Sequence, residues 1–449
     1  MARTFLTLPL EILDTILTDV DAHCDLISLA LVSKNIYHQV IPRHSEYRVL
    51  RTRHRFPGVW AHLAKRADLS RNLREIHILR KADRAQIEQY PLSLASSVFG
   101  KDVTLEEEDL RRWNILTVMG YLERLTVFVW DFCYDHGSLY MDASQELQLL
   151  RVLSGIPSLS RLVLAGDLKC LVPQARIKND LFEACWNMPN LRDLTLMGDI
   201  WSSPTIASTL LHVLKQSTQL KRLQIPVEAT SVCKFVLPSL RQLSLFLQSS
   251  TTTSLIKQWN VFFENHPLLE DLWCNPSSTM LLPRNGLTKL KRLSMERTFI
   301  DSFKNAKHVP EALECLQYTS FNFAEGVPAR SIFRNLKKLS LCTVDSIGWF
   351  ELDVWLGFFS SLPHLEVFRG PGIWLSVNND YERMHTAIMN LVQRCPNLRE
   401  LDHQEHQRQD KNRIIVIIKE QSKKGLHVRC EIKRPRARDY NNFMETAFT

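Results

Sequence analysis

Three groups of residues are of the type that performs chemistry: His403-Gln404-Glu405-His406, the ten cysteines, and the acidic run Glu106-Glu107-Glu108-Asp109. None has the spacing its chemistry requires. A zinc-binding helix places two histidines four residues apart in the order H-E-x-x-H, whereas His403 and His406 are three apart with the glutamate in the wrong place. The cysteines include no C-x-x-C, and no two lie closer than Cys170 and Cys185, so neither a zinc site nor a disulfide framework is expected and a reducing compartment is. Adjacent carboxylates on a helix point in different directions, so Glu106 to Asp109 form no cage for a cation. The fourteen glycines never form G-x-x-x-x-G-K or G-x-S-x-G, and Gly370-Pro371-Gly372 reads as a turn. No catalytic residue, no metal and no cofactor is expected.

Recognition is the chemistry that remains, and four side chains are the candidates: Arg222, Trp273, Arg292 and Lys338. Each stands at an outward position of a repeated pattern, L-x-x-L-x-L, whose leucines alternate at strand period and point inward. Arg222, Arg292 and Lys338 occupy the third position of their copies and Trp273 a fifth position. Neighbouring strands are about 4.8 Å apart, so this set could hold an acidic or phosphorylated protein segment within a few strands' width. Asp271 and Gln242 fall in the same stripe and would pattern it.

The elements that position these residues are the repeats themselves. Twelve copies begin at Leu73, Leu122, Leu159, Leu191, Leu220, Leu240, Leu269, Leu290, Leu313, Leu336, Leu365 and Leu398. Their spacing leaves room for a strand and a crossover, in most cases a helix, as at Ser144 to Ser154, Asn179 to Trp186, Pro204 to Gln216, Ser254 to Asn265, Asp353 to Ser361 and Asp380 to Arg394. A further helix is expected over Asp102 to Met119. Stacked units of this kind form one continuous core, so length alone does not imply several domains. Between Arg43 and Leu69 the pattern predicts one helix before the Pro57-Gly58 turn and another after it, around Trp60 to Ala67. At the far end, residues 414–424 are expected to be helical and Leu426 to Ile432 a final strand.

Residues 5–50 do not follow the repeat. Leu8-Pro9-Leu10-Glu11-Ile12-Leu13, with Ile16 and Leu17, predicts a helix with an apolar face, and Asp25-Leu26-Ile27-Ser28-Leu29-Ala30-Leu31-Val32-Ser33-Lys34 predicts a second one capped by Asp25. A segment of about 40 residues with apolar surface on several sides needs a partner or a neighbouring domain. These residues resemble the F-box in order and spacing, with Ile36-Tyr37 where that family often has a tryptophan. The repeats resemble leucine-rich repeats, in the irregular form found in F-box proteins of fungi and other eukaryotes; the usual asparagine after the strand is mostly missing. The resemblance implies an α/β fold with an N-terminal helical F-box (1–50), a helical connector (51–70), a curved leucine-rich-repeat solenoid with a parallel sheet on its concave face (71–433) and a polar tail (434–449). It implies a non-catalytic, substrate-recruiting subunit of a Skp/cullin/F-box ubiquitin ligase. Leu8, Pro9, Ile12, Leu13, Ile16, Leu17, Leu26, Leu29 and Val32 would bind the Skp-type adaptor and through it cullin, and the repeats would bind an unidentified protein substrate.

Charge leaves two alternatives open. Residues 43–84 carry twelve Lys/Arg against four acids and residues 419–438 eight against two, within a chain of net charge +8. Such blocks could meet nucleic acid or a phosphorylated ligand. No interleaved aromatics or recognition helix accompany them, so nucleic acid is not the expected partner. The other alternative is a ligase-independent F-box/repeat scaffold. No run approaches the roughly 18 apolar residues of a membrane helix, so a cytoplasmic or nuclear protein without a membrane partner is expected.

Overall fold

In the computed structural model, each of the twelve L-x-x-L-x-L copies carries a strand. The structure describes residues 8–79 (apart from 21, 42, 54 and 55), 89–91, 94, 105–131, 141–171, 186–203, 206, 210, 214–227, 236–247, 258, 261–274, 287–295, 311–321, 334–344, 352–370, 380–403, 413–422 and 425–434. The chain divides into two compact units, Met1–Leu220 and Lys221–Thr449.

In the first unit, helices α1 (Leu10–Asp19), α2 (His23–Ala30) and α3 (Lys34–Val40) precede the strands β1 (Val49–Arg53), β2 (Glu75–Leu79), β3 (Val127–Asp131), β4 (Arg161–Ala165) and β5 (Asp193–Met197). All five strands are parallel and stand in chain order. Parallel neighbours require a crossover. It is supplied by α4 (Pro57–Lys65) and α5 (Ala67–Ser70), then α6 (Leu105–Gly120), then α7 (Ala143–Ser154). The start of α7 is fixed by a reciprocal cap: the Asp142 carboxylate accepts from the Gln145 amide at 2.8 Å, and the Gln145 side chain accepts from the Asp142 amide at 3.1 Å.

The second unit continues the pattern through β6 (Arg222–Val227), β7 (Gln242–Leu247), β8 (Asp271–Cys274), β9 (Arg292–Met295), β10 (Cys315–Phe321), β11 (Lys338–Val344), β12 (Val367–Arg369) and β13 (Glu400–Asp402), again parallel and in order. Helices α8 (Leu352–Phe359) and α9 (Tyr381–Arg394) precede β12 and β13, the latter capped by the Asp380 carboxylate. The core is a ladder of equivalent side chains. Leu243, Leu272, Leu293, Leu316, Leu339, Phe368 and Leu401 follow one another across strands in register, none more than 1% exposed. Each such side chain buries its apolar surface against copies of itself above and below, which is why the repeats need one another.

The unit ends differently. Strand β14 (Ile414–Ser422) turns back antiparallel on β13, and β15 (Gly425–Lys433) is antiparallel to β14, so the pairing does not close on itself. The architecture is mixed α/β with largely parallel, open strand pairing.

Four local expectations are corrected. The stretch before Pro57, expected to be helical, is β1, because Leu50 and Thr52 are buried while Val49, Arg51 and Arg53 alternate with them at period two. Sheet pairing therefore begins at Val49 instead of at residue 71. Residues 414–422, also expected to be helical, are β14: the run Ile-Ile-Val-Ile-Ile is β-branched throughout, and such side chains fit a pleated surface better than a helix. Asp25 does not cap α2; Ala22 holds that place and Asp25 lies in the first turn. At the outward positions, Cys315 is buried. The expected helices over 179–186, 204–216 and 254–265 lie wholly or partly outside the described residues, as do 435–449 and His406.

Candidate docking surfaces

The three N-terminal helices are built around a small interior of their own. The backbone carbonyl of Pro9 accepts from the amides of Ile12 and Leu13, both at 3.1 Å, and starts α1. Ser33 caps α3 by accepting from the Ile36 amide at 3.2 Å. Leu17, Leu26, Ala30, Ile36 and Val40 are buried together, with Val20, Leu29 and Ile41 packed at the margin. An interior this small does not hold three helices by itself.

Arginines from the strand starts supply the rest. The last carbonyls of α1 have no partners within the helix and carry its negative dipole end. Arg48, just before β1, donates through Nη2 to Leu17 O at 2.5 Å and to Thr18 O at 3.2 Å. Arg74, just before β2, donates to Thr18 O at 2.8 Å. Arg124, before β3, donates to Thr18 O at 3.5 Å and is ion-paired with Asp19. Three successive strands thus present a guanidinium to one helix end. One turn earlier on α1, Asp14 receives His44 at 2.8 Å and Arg43 at 3.4 Å. Burial lowers the His44 pKa, outweighing the Asp14 carboxylate that acts in the opposite direction. Two of the twelve cations of the first basic block, Arg48 and Arg74, are therefore buried in internal bonds.

Several large apolar side chains of these helices, and of the turn between α2 and α3, are exposed. Leu31 is 80% exposed, Val32 63%, Leu10 54%, Ile12 49% and Tyr37 45%. These five are half of the ten large hydrophobic side chains exposed among the described residues, on a segment of about 40 residues. The nine residues expected to meet an adaptor separate by burial. Pro9, Ile12 and Val32 are exposed, and Leu8, Ile16 and Leu29 are half-buried. Leu13, Leu17 and Leu26 are buried, so they shape the surface from within and do not present themselves to a partner. Leu10, Leu31 and Tyr37 were not among the nine. Only burial separates them from their neighbours, because α2 and α3 are separate helices and the break between them turns Leu31 and Val32 outward.

The second surface is the outward face of the second unit. Register places Arg222, Gln242, Asp271, Arg292, Cys315 and Lys338 on six successive strands as directly facing residues. Of the three cations of the expected stripe, one is neutralised there and a second is held by a neutral partner. Arg292 makes a two-pronged bond to Asp271, its Nε donating to Oδ1 at 2.5 Å, and Arg222 donates to the Gln242 side-chain oxygen. Lys338 is exposed, and no ion pair to it occurs among the described residues. Trp273 is half-buried, flanked in register by Ser244 and Ser294. Arg369, at the fifth position of its copy as Trp273 is in its own, is buried against Glu400 at 2.7 Å and Asp402 at 3.7 Å. A parallel ladder of alternating sign runs at the second position of the repeats. Arg241 pairs with Glu270 at 2.8 Å, Lys291 with Glu270 at 2.9 Å and Lys337 with Glu314 at 3.0 Å.

Among the described residues no group of three or more His, Cys, Asp or Glu side chains could hold a metal, and His403 is buried with its pKa lowered by that burial. No described helix is long and apolar enough to cross a membrane. Cys24, Cys170, Cys274, Cys315, Cys395 and Cys430 are free, and burial pushes the Cys315 and Cys395 thiols up to about 12. Neither the protein-family models nor the curated proteins include a match to this chain.

Proposed function

We propose that this chain is the substrate-recruiting subunit of a Skp/cullin/F-box ubiquitin ligase, with α1 to α3 as the F-box and the strands that follow as a leucine-rich-repeat solenoid. The observation that carries the reading is the apolar surface of Leu10, Ile12, Leu31, Val32 and Tyr37 on a helical module that resembles the F-box in sequence. Helical surfaces of this kind are used to pack into a partner's apolar groove or helix bundle. The arginine bonds at the end of α1 support it, because they fix the module to the first strands of its own unit and so give a partner a defined seat there. They also weigh against a nucleic-acid role for the first basic block, since Arg48 and Arg74 are committed internally.

The mechanism is proximity. The helical module holds the Skp-type adaptor and, through it, cullin; the outward face of the repeats holds a protein substrate; and the gain is the effective concentration of substrate near the activated ubiquitin carrier. No residue of this chain performs the transfer. Lys338 and Trp273, with Arg222 and Arg292 held in place by Gln242 and Asp271, are the residues we assign to substrate capture. Native purification from a cell extract tests the assembly: adaptor and cullin should both be recovered. Recovery of adaptor without cullin would favour the ligase-independent scaffold, and recovery of neither would overturn the reading.

A further inference from the structure

Strand β15 pairs with β14 along its full length and, among the described strands, with no other on its outer side. An outer strand offers a row of backbone donors and acceptors to any chain that can match it, and proteins usually protect such edges with charge. Here the charges have an order. Along 427–433 the sequence is His-Val-Arg-Cys-Glu-Ile-Lys, with Val428, Cys430 and Ile432 on one face and His427, Arg429, Glu431 and Lys433 on the other. Glu431 lies between two cations, Arg429 at 2.8 Å and Lys433 at 3.6 Å. Ile432 is 58% exposed although its cross-strand neighbour Ile415 is buried, so the apolar face is uncovered at that end.

We propose that this edge is a self-association site, at which two copies of the chain pair antiparallel through residues 427–433 with the two-fold axis at Cys430. In that register Arg429 of each copy faces Glu431 of the other, and Val428 faces Ile432, both sets being opposite on a shared face. The register is singled out by the charges. Moving the axis to Arg429 sets that arginine against its own copy; moving it to Glu431 opposes the two glutamates and sets Arg429 against Lys433. A shift that places the axis between residues puts charged side chains opposite apolar ones. An axis at Ile432 also sets Glu431 against Lys433 but pairs only residues 431–433, so over the whole of 427–433 the strand complements itself with the axis at Cys430. The proposal is independent of the adaptor reading, since it involves none of the same residues. An edge of seven residues is a small contact, so the dimer is expected to be reversible and concentration-dependent.

The test is sedimentation of the full chain, with reductant present so that no dimer is a disulfide, over concentrations up to about 100 μM. The native chain should dimerise. Arg429→Glu and Glu431→Arg should each be monomeric over the same range, because each opposes like charges twice, and self-association should weaken about tenfold or more. An equimolar mixture of the two variants should dimerise again, because every charge of one then faces its opposite in the other. That recovery cannot come from bonds within one strand, which are like-charged in both variants. Should either variant fail to fold, Ile432→Lys, at an exposed position, should be folded and monomeric. A native chain that stays monomeric, a dimer that survives Arg429→Glu and Ile432→Lys, or a mixture of folded variants that stays monomeric would overturn the proposal.

Discussion

The guanidinium of Arg74 donates to the backbone carbonyl of Thr18 at 2.8 Å, across 56 residues of chain. That bond joins the end of the first helix to the start of the second strand, and Arg48 and Arg124 repeat it from the neighbouring strands. Its consequence is testable by substitution. Arg48→Ala removes a charged donor from the buried Leu17 carbonyl and Arg74→Ala one from the part-buried Thr18 carbonyl, and each should cost about 1.5–3 kcal/mol. Arg124→Ala, at a half-exposed pair with Asp19, should cost less than about 1 kcal/mol. Hydrogen exchange should show the loss as faster exchange in α1, with the strands of the second unit unchanged. Equal protection of α1 in all three variants would show that the arginines do not hold it.

Glu146 makes a pH-dependent contribution. It is buried on α7, accepts from the Cys170 amide at 2.8 Å, and burial pushes its pKa up to about 7 from the usual 4.5. Below pH 4.5 the carboxyl is protonated whether the chain is folded or not, and its contribution to stability is complete. As pH rises to 7 the unfolded chain ionises first, so this contribution is lost across that window, by about 3 kcal/mol, and is constant above it. Glu146→Gln should flatten the stability profile between pH 4.5 and 7 and raise stability above pH 7. A variant with the same slope as the native chain would assign the pH dependence to other groups.

The strand leucines and the cysteines give a matched pair of expectations. Leu194→Ala and Leu243→Ala remove fully buried side chains from the ladders and should each cost roughly 2–5 kcal/mol. Reductant should leave the melting transition where it is. Cys24, which is exposed, should react with iodoacetamide in the native protein, while the buried Cys315 and Cys395, with thiols pushed up to about 12, should react only on unfolding. A melting point that falls with reductant would contradict the free thiols.

On the outward face of the second unit the charges predict opposite effects from neighbouring substitutions. Lys338→Glu should lower recovery of an acidic substrate by about 3–10-fold, whereas Asp271→Asn should release Arg292 and raise it. Neither should change adaptor binding. Quantitative recovery from extract checks both, and a substrate indifferent to both variants is read elsewhere on the chain.

The strand positions were legible in the sequence because a leucine repeat of period two admits few other arrangements: every copy from Leu73 to Leu398 carries a strand. What was not legible depended on partners distant in the chain. Arg48 and Arg74 look like any solvated arginines until the end of α1 is placed against them. Arg292 looks like a free cation until register brings Asp271 opposite it. The tail was misread for a different reason: Ile414 to Ile418 has no alternation, being apolar at every position, so period could not distinguish helix from strand and only the β-branched composition pointed to β14. On the helical module the pattern located the helices, but burial divided the side chains it singled out, turning Val32 outward and Leu17 and Leu26 inward.

The central claim is that the exposed face of the helical module binds a Skp-type adaptor. The most direct measurement is a calorimetric titration of purified adaptor into the full chain and into a Leu31→Lys, Val32→Asp variant. Both positions are exposed, so the variant should melt with the native chain, while losing ~1–2 kcal/mol of binding energy at each position, or about one to three decades in affinity. Saturable binding by the native chain that is lost in a folded variant is the result predicted. Absence of binding by the native chain, or equal affinity in the two, would contradict it.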